Sequence, residues 1–278
     1  MKKQIIAAIF VLLILVIIIS IFVLAQPDKV PATNTRAKEP VPVVIPSHAV
    51  QVADNVFSLG TARDVDGSIV EGFMIIDKKR DAKPPWAGGG GTGGTTTCFS
   101  LLSKGAKWKT VEPWIVNPAN SESLGDDFIL NNLAAGIQKW EAASSTNILG
   151  NGNIDTSTLV ADEINPDGVN EVYFGDVGSV GSIAVTIVWG IFGGPPNGRK
   201  LVEWDQVYDQ IDYNWSSSGE ANKMDFENIN THELGHSVGM SHPPDECANE
   251  TMYRFADFGE IKKRDLSAGD IAGINELY

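Results

Sequence analysis

Three of the four histidines in this chain lie within eleven consecutive positions, in the run HELGHSVGMSH at residues 232–242. Two histidines four positions apart lie on one face of an α-helix, because four residues complete slightly more than one turn. His232 and His236 can therefore bind the same metal ion. Gly239 permits a positive φ, so the chain can leave the helix sharply and return His242 to that ion. The spacing predicts three histidine ligands and an open fourth position on a zinc ion.

Glu233 stands next to the first of these histidines, where its carboxylate can reach water at the metal. The alternative interpretation is that the histidines only pack around the end of a helix. Histidine is scarce in this chain, so this spacing is improbable by chance and favours a metal site.

The same helix has a candidate N-cap in Asp225, with Asn228 three residues later, and we expect it to end near Val238.

A methionine turn, Glu250-Thr251-Met252-Tyr253, follows the last of these histidines. The extended histidine motif with this turn resembles the metzincins and, within them, the matrixins. An opening strand at 111–117, a first long helix at 128–140 and a closing helix at 266–278 also carry the resemblance. It implies an α+β, zincin-like catalytic domain over 98–278, with a twisted, mostly parallel sheet, an active-site helix and a C-terminal helix.

The resemblance further implies a zinc-dependent endopeptidase that hydrolyses extended protein or peptide segments. Glu233 would act as general base towards the attacking water and then pass the proton to the leaving amine. His232, His236 and His242 would hold one catalytic zinc ion. Met252 would form a hydrophobic floor beneath these ligands.

Substrate binding is also implied by the resemblance. The segment 182–189 resembles the edge strand with which matrixins pair an extended peptide, a mode that recognises the backbone first. The chain after Tyr253 would form the wall of the pocket for the residue that follows the cut. Arg254 stands where the family usually has proline. The resemblance therefore does not predict the path of this wall or the depth of the pocket.

A proteolytically inactive surface binding protein on the same fold is the alternative function. Loss of the Glu233 carboxylate would be the simplest route to inactivity, and that carboxylate is present beside three candidate ligands. The sequence therefore favours the enzyme.

The net charge of −14 argues against a nucleic-acid partner, because phosphates would be repelled.

Residues 1–25 begin with Met1-Lys2-Lys3 and continue as an almost unbroken apolar run. About 20 helical residues span the hydrocarbon core of a bilayer, and the preceding lysines favour a cytoplasmic N-terminus. We interpret the segment as a transmembrane signal anchor, or as a signal peptide cleaved after Ala25. Either interpretation predicts export, to the extracellular side of the membrane or into the medium.

Three stretches connect this segment to the catalytic domain. Residues 26–48 are rich in proline and predict an extended linker. Residues 49–80 contain β-prone runs and predict a small β-rich segment, either a separate module or strands added to the catalytic domain. An inhibitory role for this segment would require a residue that reaches the zinc, and the sequence does not identify one. Residues 81–97 are rich in glycine and threonine and predict a flexible linker.

The chain contains two cysteines, Cys98 and Cys247. In an oxidising compartment, such a pair predicts a disulfide. Two other interpretations are a cysteine switch, in which the Cys98 thiolate takes the fourth zinc position as in matrixin propeptides, and two free thiols. The sequence TTCFS at 96–100 does not match the family's switch motif, so we favour the disulfide.

Acidic and amide side chains surround the turn signal Pro166-Asp167-Gly168. Such oxygen ligands suit a calcium ion, and the candidate ligands are Asp162, Asp167, Asn170 and Glu171. The alternative is an acidic loop that is simply exposed to solvent.

Overall fold

The computed structural model describes residues 42–80 and 97–278, and all of them belong to one of two compact units of the chain. The apolar run predicted as an anchor or signal peptide lies outside the described residues, as do 26–41 and 81–96 of the two linkers. Within the described ranges, no helix combines the length and the apolar character that a membrane span needs.

The described residues form an α+β fold. The helices are α1 (Asp126–Ser144), α2 (Phe226–Ser237) and α3 (Ala268–Leu277). The strands are β1 (Val50–Ala53), β2 (Val56–Arg63), β3 (Ile69–Lys79), β4 (Ser100–Leu101), β5 (Glu112–Asn117), β6 (Leu149–Ile154), β7 (Asn170–Gly175), β8 (Ser182–Ile191), β9 (Lys200–Asp209), β10 (Trp215–Ser216), β11 (Met224–Asp225), β12 (Met240–Ser241) and β13 (Phe255–Ala256).

The main sheet has the strand order β1-β2-β3-β8-β9-β7-β5-β6, and β13 pairs with the end of β3. Strands β9, β7, β5 and β6 are parallel to one another. Strands β1, β2, β3, β8 and β9 are joined by antiparallel pairs. The sheet is therefore mixed, and the prediction of a mostly parallel sheet holds only for the half that runs from β9 to β6.

The segment predicted as a small β-rich unit joins this sheet. Strands β2 and β3 form an antiparallel hairpin, and β3 pairs along most of its length with β8. Several apolar side chains of the hairpin are buried, among them Leu59, Val70 and Met74. Of the two interpretations of 49–80, the structure supports strands added to the catalytic domain. Strands from both sides of residues 81–97 thus belong to one sheet.

Helix α1 packs against α2 through one apolar face, as its spacing predicts. Ile129, Leu133, Ile137 and Trp140 form this face and are buried. The Trp140 indole donates a hydrogen bond to the carbonyl of Thr231 in α2, at 2.9 Å. These contacts fix α2 between α1 and the sheet, where buried β8 lies beside it.

Candidate active site

Helix α2 begins at the N-cap that the sequence predicts. The Asp225 carboxylate accepts a hydrogen bond from the backbone N–H of Asn228, at 3.0 Å. The Arg264 guanidinium donates to both oxygens of the same carboxylate, at 2.8 and 2.7 Å. The helix ends at Ser237, and Gly239 adopts a φ of 103°. This turn returns the chain towards the helix, as predicted.

The three histidines of the motif converge at the end of this helix. The Nε2 atom of His236 lies 3.2 Å from that of His232 and 3.1 Å from that of His242. Around one zinc ion, with Zn–N bonds of about 2.0–2.1 Å, tetrahedral ligands would stand about 3.3 Å apart. The side chains present therefore fit a zinc ion.

Backbone carbonyls orient two of these rings. Thr251 places its carbonyl oxygen 2.6 Å from Nδ1 of His232, and Met240 places its own 3.0 Å from Nδ1 of His236. A carbonyl only accepts, so each Nδ1 carries the hydrogen and each Nε2 presents a lone pair. Burial lowers the pKa of all three imidazoles, to about 4 for His236. Neutral imidazole is the form that binds a metal ion.

Glu233 is buried on the same side of the helix. The hydroxyl of Thr186, on β8, donates to its Oε2 atom at 2.5 Å. Its Oε1 atom is buried and has no hydrogen-bond partner among the described residues. Burial raises the pKa of this carboxyl well above its usual range, and the negative charge of Asp77 raises it further.

Two charged residues that the sequence did not identify enter this site. Asp77, on β3, is buried. One of its carboxylate oxygens, one ring nitrogen of His232 and one carboxylate oxygen of Glu233 lie within 4.8 Å of one another. Lys263 is also buried; its Nζ atom is 3.8 Å from Asp77 and 3.4 Å from Nδ1 of His232. Neither residue stands near the histidine motif in sequence, so no local pattern points to it.

Met252 is fully buried in the core. A Cβ atom built at Gly235, inside the motif, would stand 2.2 Å from the Met252 sulfur. Only glycine at 235 therefore lets the helix approach the methionine this closely. The carboxylate of Asp270 accepts hydrogen bonds from the N–H groups of Thr251 and Met252, at 2.7 and 3.1 Å. It fixes the turn that orients His232.

Cys98 and Cys247 form a disulfide, with their sulfur atoms 2.11 Å apart. The Cys98 sulfur is therefore bonded to Cys247, and as a disulfide it is not the thiolate that the cysteine-switch interpretation requires. The bridge joins the start of the second described range to the loop between His242 and the methionine turn.

The predicted calcium ligands are only partly brought together. Asp162 and Asp167 lie with Glu203, a buried residue of β9 that the sequence did not identify, and their carboxylates are within 4.8 Å of one another. Asn170 points elsewhere: its amide group donates to Pro113 at 2.8 Å and accepts from Trp204 at 3.0 Å. Oxygens of Asp162 and Glu203 are buried without a partner in the described ranges.

Burial is the main cause of raised pKa values in this cluster. It raises the pKa of Asp162 to about 6 and that of Glu171 to about 7, and neighbouring carboxylates add to the shift. Burial and the nearby Asp205 also raise the pKa of Glu203. Buried carboxylates without a counter-ion are costly, so this site favours a cation.

Comparison with known proteins finds similarity over part of the chain, and the family match lies in its C-terminal part. Residues 196–278 match the sequence model of the matrixin family. The chain is 34% identical over 84 residues to Metalloendoproteinase 1-MMP of Arabidopsis thaliana, covering 30% of this chain and 22% of that protein. It is 39% identical over 74 residues to human Matrilysin, covering 27% and 26%. The match thus spans about a quarter or less of each relative's length.

Proposed function

We propose that this chain, whose residues 196–278 match the sequence model of the matrixin family, is a zinc-dependent endopeptidase. The observation that carries the proposal is the convergence of three neutral imidazoles at one point beside Glu233. His232, His236 and His242 would hold the ion. Bound there, a zinc ion would supply Lewis acidity, which would make the attacking water more acidic and polarise the scissile carbonyl.

Glu233 would move the proton during hydrolysis. The Thr186 hydroxyl fixes its Oε2 atom, which leaves Oε1 free to accept a proton from the attacking water. The same oxygen would then donate that proton to the leaving amine. Burial raises the pKa of this carboxyl, so its carboxylate form is a stronger base than an exposed one, which favours uptake of the proton from the attacking water.

Metal analysis and peptide-library profiling test this function on the full-length chain. The chain should bind about one zinc ion at the histidine site. Cleavage of library peptides should disappear with a chelator and in the Glu233→Ala variant. If zinc-loaded wild type leaves every library peptide intact, the proposal is contradicted. The alternative, an inactive surface binding protein, predicts that intact library.

We also propose a calcium ion at Asp162, Asp167 and Glu203. The support is one buried carboxylate oxygen without a partner among the described residues on each of Asp162 and Glu203, and the raised pKa values of these two groups. Hard oxygen ligands suit calcium, and Glu171 lies close enough to Asp162 for their charges to interact. The ion would fix the loop before β7 against β9.

We further propose that the catalytic part works outside the cytoplasm. The support is the apolar N-terminal segment of the sequence and the disulfide, because disulfides persist in oxidising compartments. Protease treatment of intact cells that make the chain should degrade its C-terminal part, or that part should be found in the medium. Full protection within intact cells would contradict this location.

A further inference from the structure

Four polar side chains are buried together where helix α2 lies against strands β8 and β9. They are Thr186 on β8, Gln206 and Tyr208 on β9, and Ser237 at the end of α2, and all four are fully buried. Strand β8 is not the edge strand that the resemblance implies, because it pairs with β3 on one side and with β9 on the other. A buried polar group is costly unless it is hydrogen-bonded, so the partners of these side chains indicate their role.

The register of the sheet brings three of these side chains to one face. Thr186 stands opposite Gln206 in the antiparallel pair of β8 and β9, and opposite residues of such a pair point to the same face. Tyr208 follows Gln206 by two positions, so its side chain points to that face as well. Helix α2 lies on this face, because both Thr186 and Gln206 donate hydrogen bonds to its side chains.

A chain of hydrogen bonds runs from β9 to the main chain of Glu233. The Tyr208 hydroxyl donates to Oε1 of Gln206, at 2.7 Å. The side-chain nitrogen of Gln206 donates to the hydroxyl oxygen of Ser237, at 2.9 Å. The Ser237 hydroxyl in turn donates to the carbonyl of Glu233, one helical turn earlier, at 3.4 Å. These contacts connect the backbone of the proposed base to β9.

Thr186 connects the side chain of the same glutamate to β8. Its Oγ1 atom lies 2.5 Å from Oε2 of Glu233 and 3.5 Å from the carbonyl oxygen of that residue. A hydroxyl has one hydrogen to donate, and a carboxylate is a stronger acceptor than a carbonyl, so the hydrogen points to Oε2. Two neighbouring strands thus hold the side chain and the main chain of Glu233 separately.

The position of Oε1 of Glu233 depends on these two contacts. The glutamate side chain has several rotatable bonds, and Oε1 has no hydrogen-bond partner among the described residues. With the backbone and Oε2 both held, few places remain for Oε1. A misplacement of a catalytic group by about 1 Å can reduce the rate about 10²-fold.

We propose that Thr186 and Gln206 are positioning residues of the endopeptidase, which place the Glu233 carboxylate through its side chain and through its backbone. The inference rests on the proposed function, since it concerns the base of the same reaction. It gives a role to Gln206, Tyr208 and Ser237, which take no direct part in the proposed hydrolysis.

Kinetics of the full-length, zinc-loaded chain on a cleaved library peptide test Thr186. Thr186→Val keeps the shape of the side chain and removes the hydroxyl, so kcat should fall about tenfold or more, while KM and zinc content stay the same. Thr186→Ser restores the hydroxyl and should recover most of the loss. Thr61→Val, at an exposed position of β2, is the matched control and should keep the wild-type kcat.

A double-mutant cycle shows whether Thr186 acts through Glu233. In the Glu233→Ala background, Thr186→Val should change the residual rate less than about twofold, because the contact is already absent. If Thr186→Val keeps the wild-type kcat, or lowers the rate equally with and without the Glu233 carboxylate, Thr186 is not a positioning residue and the inference is wrong.

Gln206→Met tests the second contact, because methionine has a similar length and cannot donate a hydrogen bond. We expect a lower kcat with unchanged KM, and a smaller effect than that of Thr186→Val, since the helix itself also holds this backbone. Tyr208→Phe removes only the hydroxyl at the far end of the chain of hydrogen bonds and should have a smaller effect again. A wild-type kcat in Gln206→Met would contradict the role of Gln206.

Urea denaturation of the zinc-free chain separates the inference from the proposed function, because it requires no cleavage. Thr186→Val should lower the denaturation midpoint in the wild-type background more than in the Glu233→Ala background, since only the former leaves a buried carboxylate without its donor. This result together with no cleavage by wild type would support the contact and contradict the endopeptidase. Equal midpoint changes in the two backgrounds, with cleavage by wild type, would support the endopeptidase and contradict the inference.

Discussion

At the scale of single residues, the site combines groups that sequence spacing identifies with groups that it does not. His232, His236 and Glu233 share one helix, so helical geometry alone brings them together. Asp77 and Thr186 reach Glu233 from two strands that are distant in sequence. No local pattern encodes such contacts, because they depend on which strands pair in the sheet.

Glu233 provides the first prediction. Glu233→Gln keeps the shape of the side chain and removes its ability to take up a proton, so kcat should fall by about 10²–10⁴-fold. Zinc content should stay the same, because Glu233 is not one of the three proposed ligands. Steady-state kinetics on a cleaved library peptide and metal analysis measure the two effects. Unchanged kcat with full zinc occupancy would exclude Glu233 as the base.

Gly235 provides the second prediction. Glycine to alanine inside a helix normally stabilises it by about 1 kcal/mol. Here the new Cβ atom would meet the buried Met252 sulfur, and overpacking of a core costs about 1–3 kcal/mol. Gly235→Ala should therefore lower the free energy of unfolding, measured by urea denaturation. Gly125→Ala, where a Cβ atom meets nothing within 4 Å, is the control. Equal stability of the two variants would contradict the close contact.

At the scale of secondary-structure elements, the predicted first and closing helices are both present. The predicted first helix corresponds to Asp126–Ser144, and the predicted closing helix to Ala268–Leu277. Their apolar spacing and terminal residues are local signals. The pairing of β3 with β8 could not be predicted, since β-prone residues in 49–80 suit a separate hairpin equally well.

The acidic loop and β9 provide the third prediction. Asp162 and Glu171 have pKa values of about 6 and 7 in the folded chain, above those of unfolded carboxyls near 4. Between about pH 4 and pH 7 the folded chain therefore binds more protons than the unfolded chain, and its stability falls as pH rises. With EGTA present, Tm should decrease across this range.

Calcium should reduce this decrease, because it replaces the protons as counter-ion of the carboxylates. Glu203→Gln removes one proposed ligand and should weaken the calcium effect on Tm. A thermal unfolding series across pH, with EGTA or with calcium, measures both effects. A Tm that calcium does not change at neutral pH would contradict the site.

At the scale of the whole molecule, long-range contacts connect both ends of the second described range, 97–278, to the region around the histidines. The disulfide joins residues 149 positions apart. The C-terminal Tyr278 donates its hydroxyl hydrogen to the carbonyl of Val238 at the end of α2, at 3.1 Å. The helix that carries the histidines is therefore tied to distant parts of the chain.

The disulfide provides the fourth prediction. Closing so long a loop restricts the unfolded chain, so its loss should cost about 2–5 kcal/mol of unfolding free energy. Urea denaturation of wild type and of the Cys98→Ala/Cys247→Ala double variant measures the difference. Zinc binding should persist in the double variant, because neither sulfur contacts the histidines. A double variant as stable as wild type would contradict a structural role for the bridge.

The place of β3 in the sheet also sets an order of events during protein synthesis. The ribosome delivers β2 and β3 first, but β3 ends at Lys79 and its partner β8 begins only at Ser182. Until then the hairpin lacks a neighbour, and an isolated hairpin is marginally stable in water. When β8 emerges, its waiting partner is already present. The pairing of β3 with β8 therefore forms late, after α1 and strands β4 to β7 have been made.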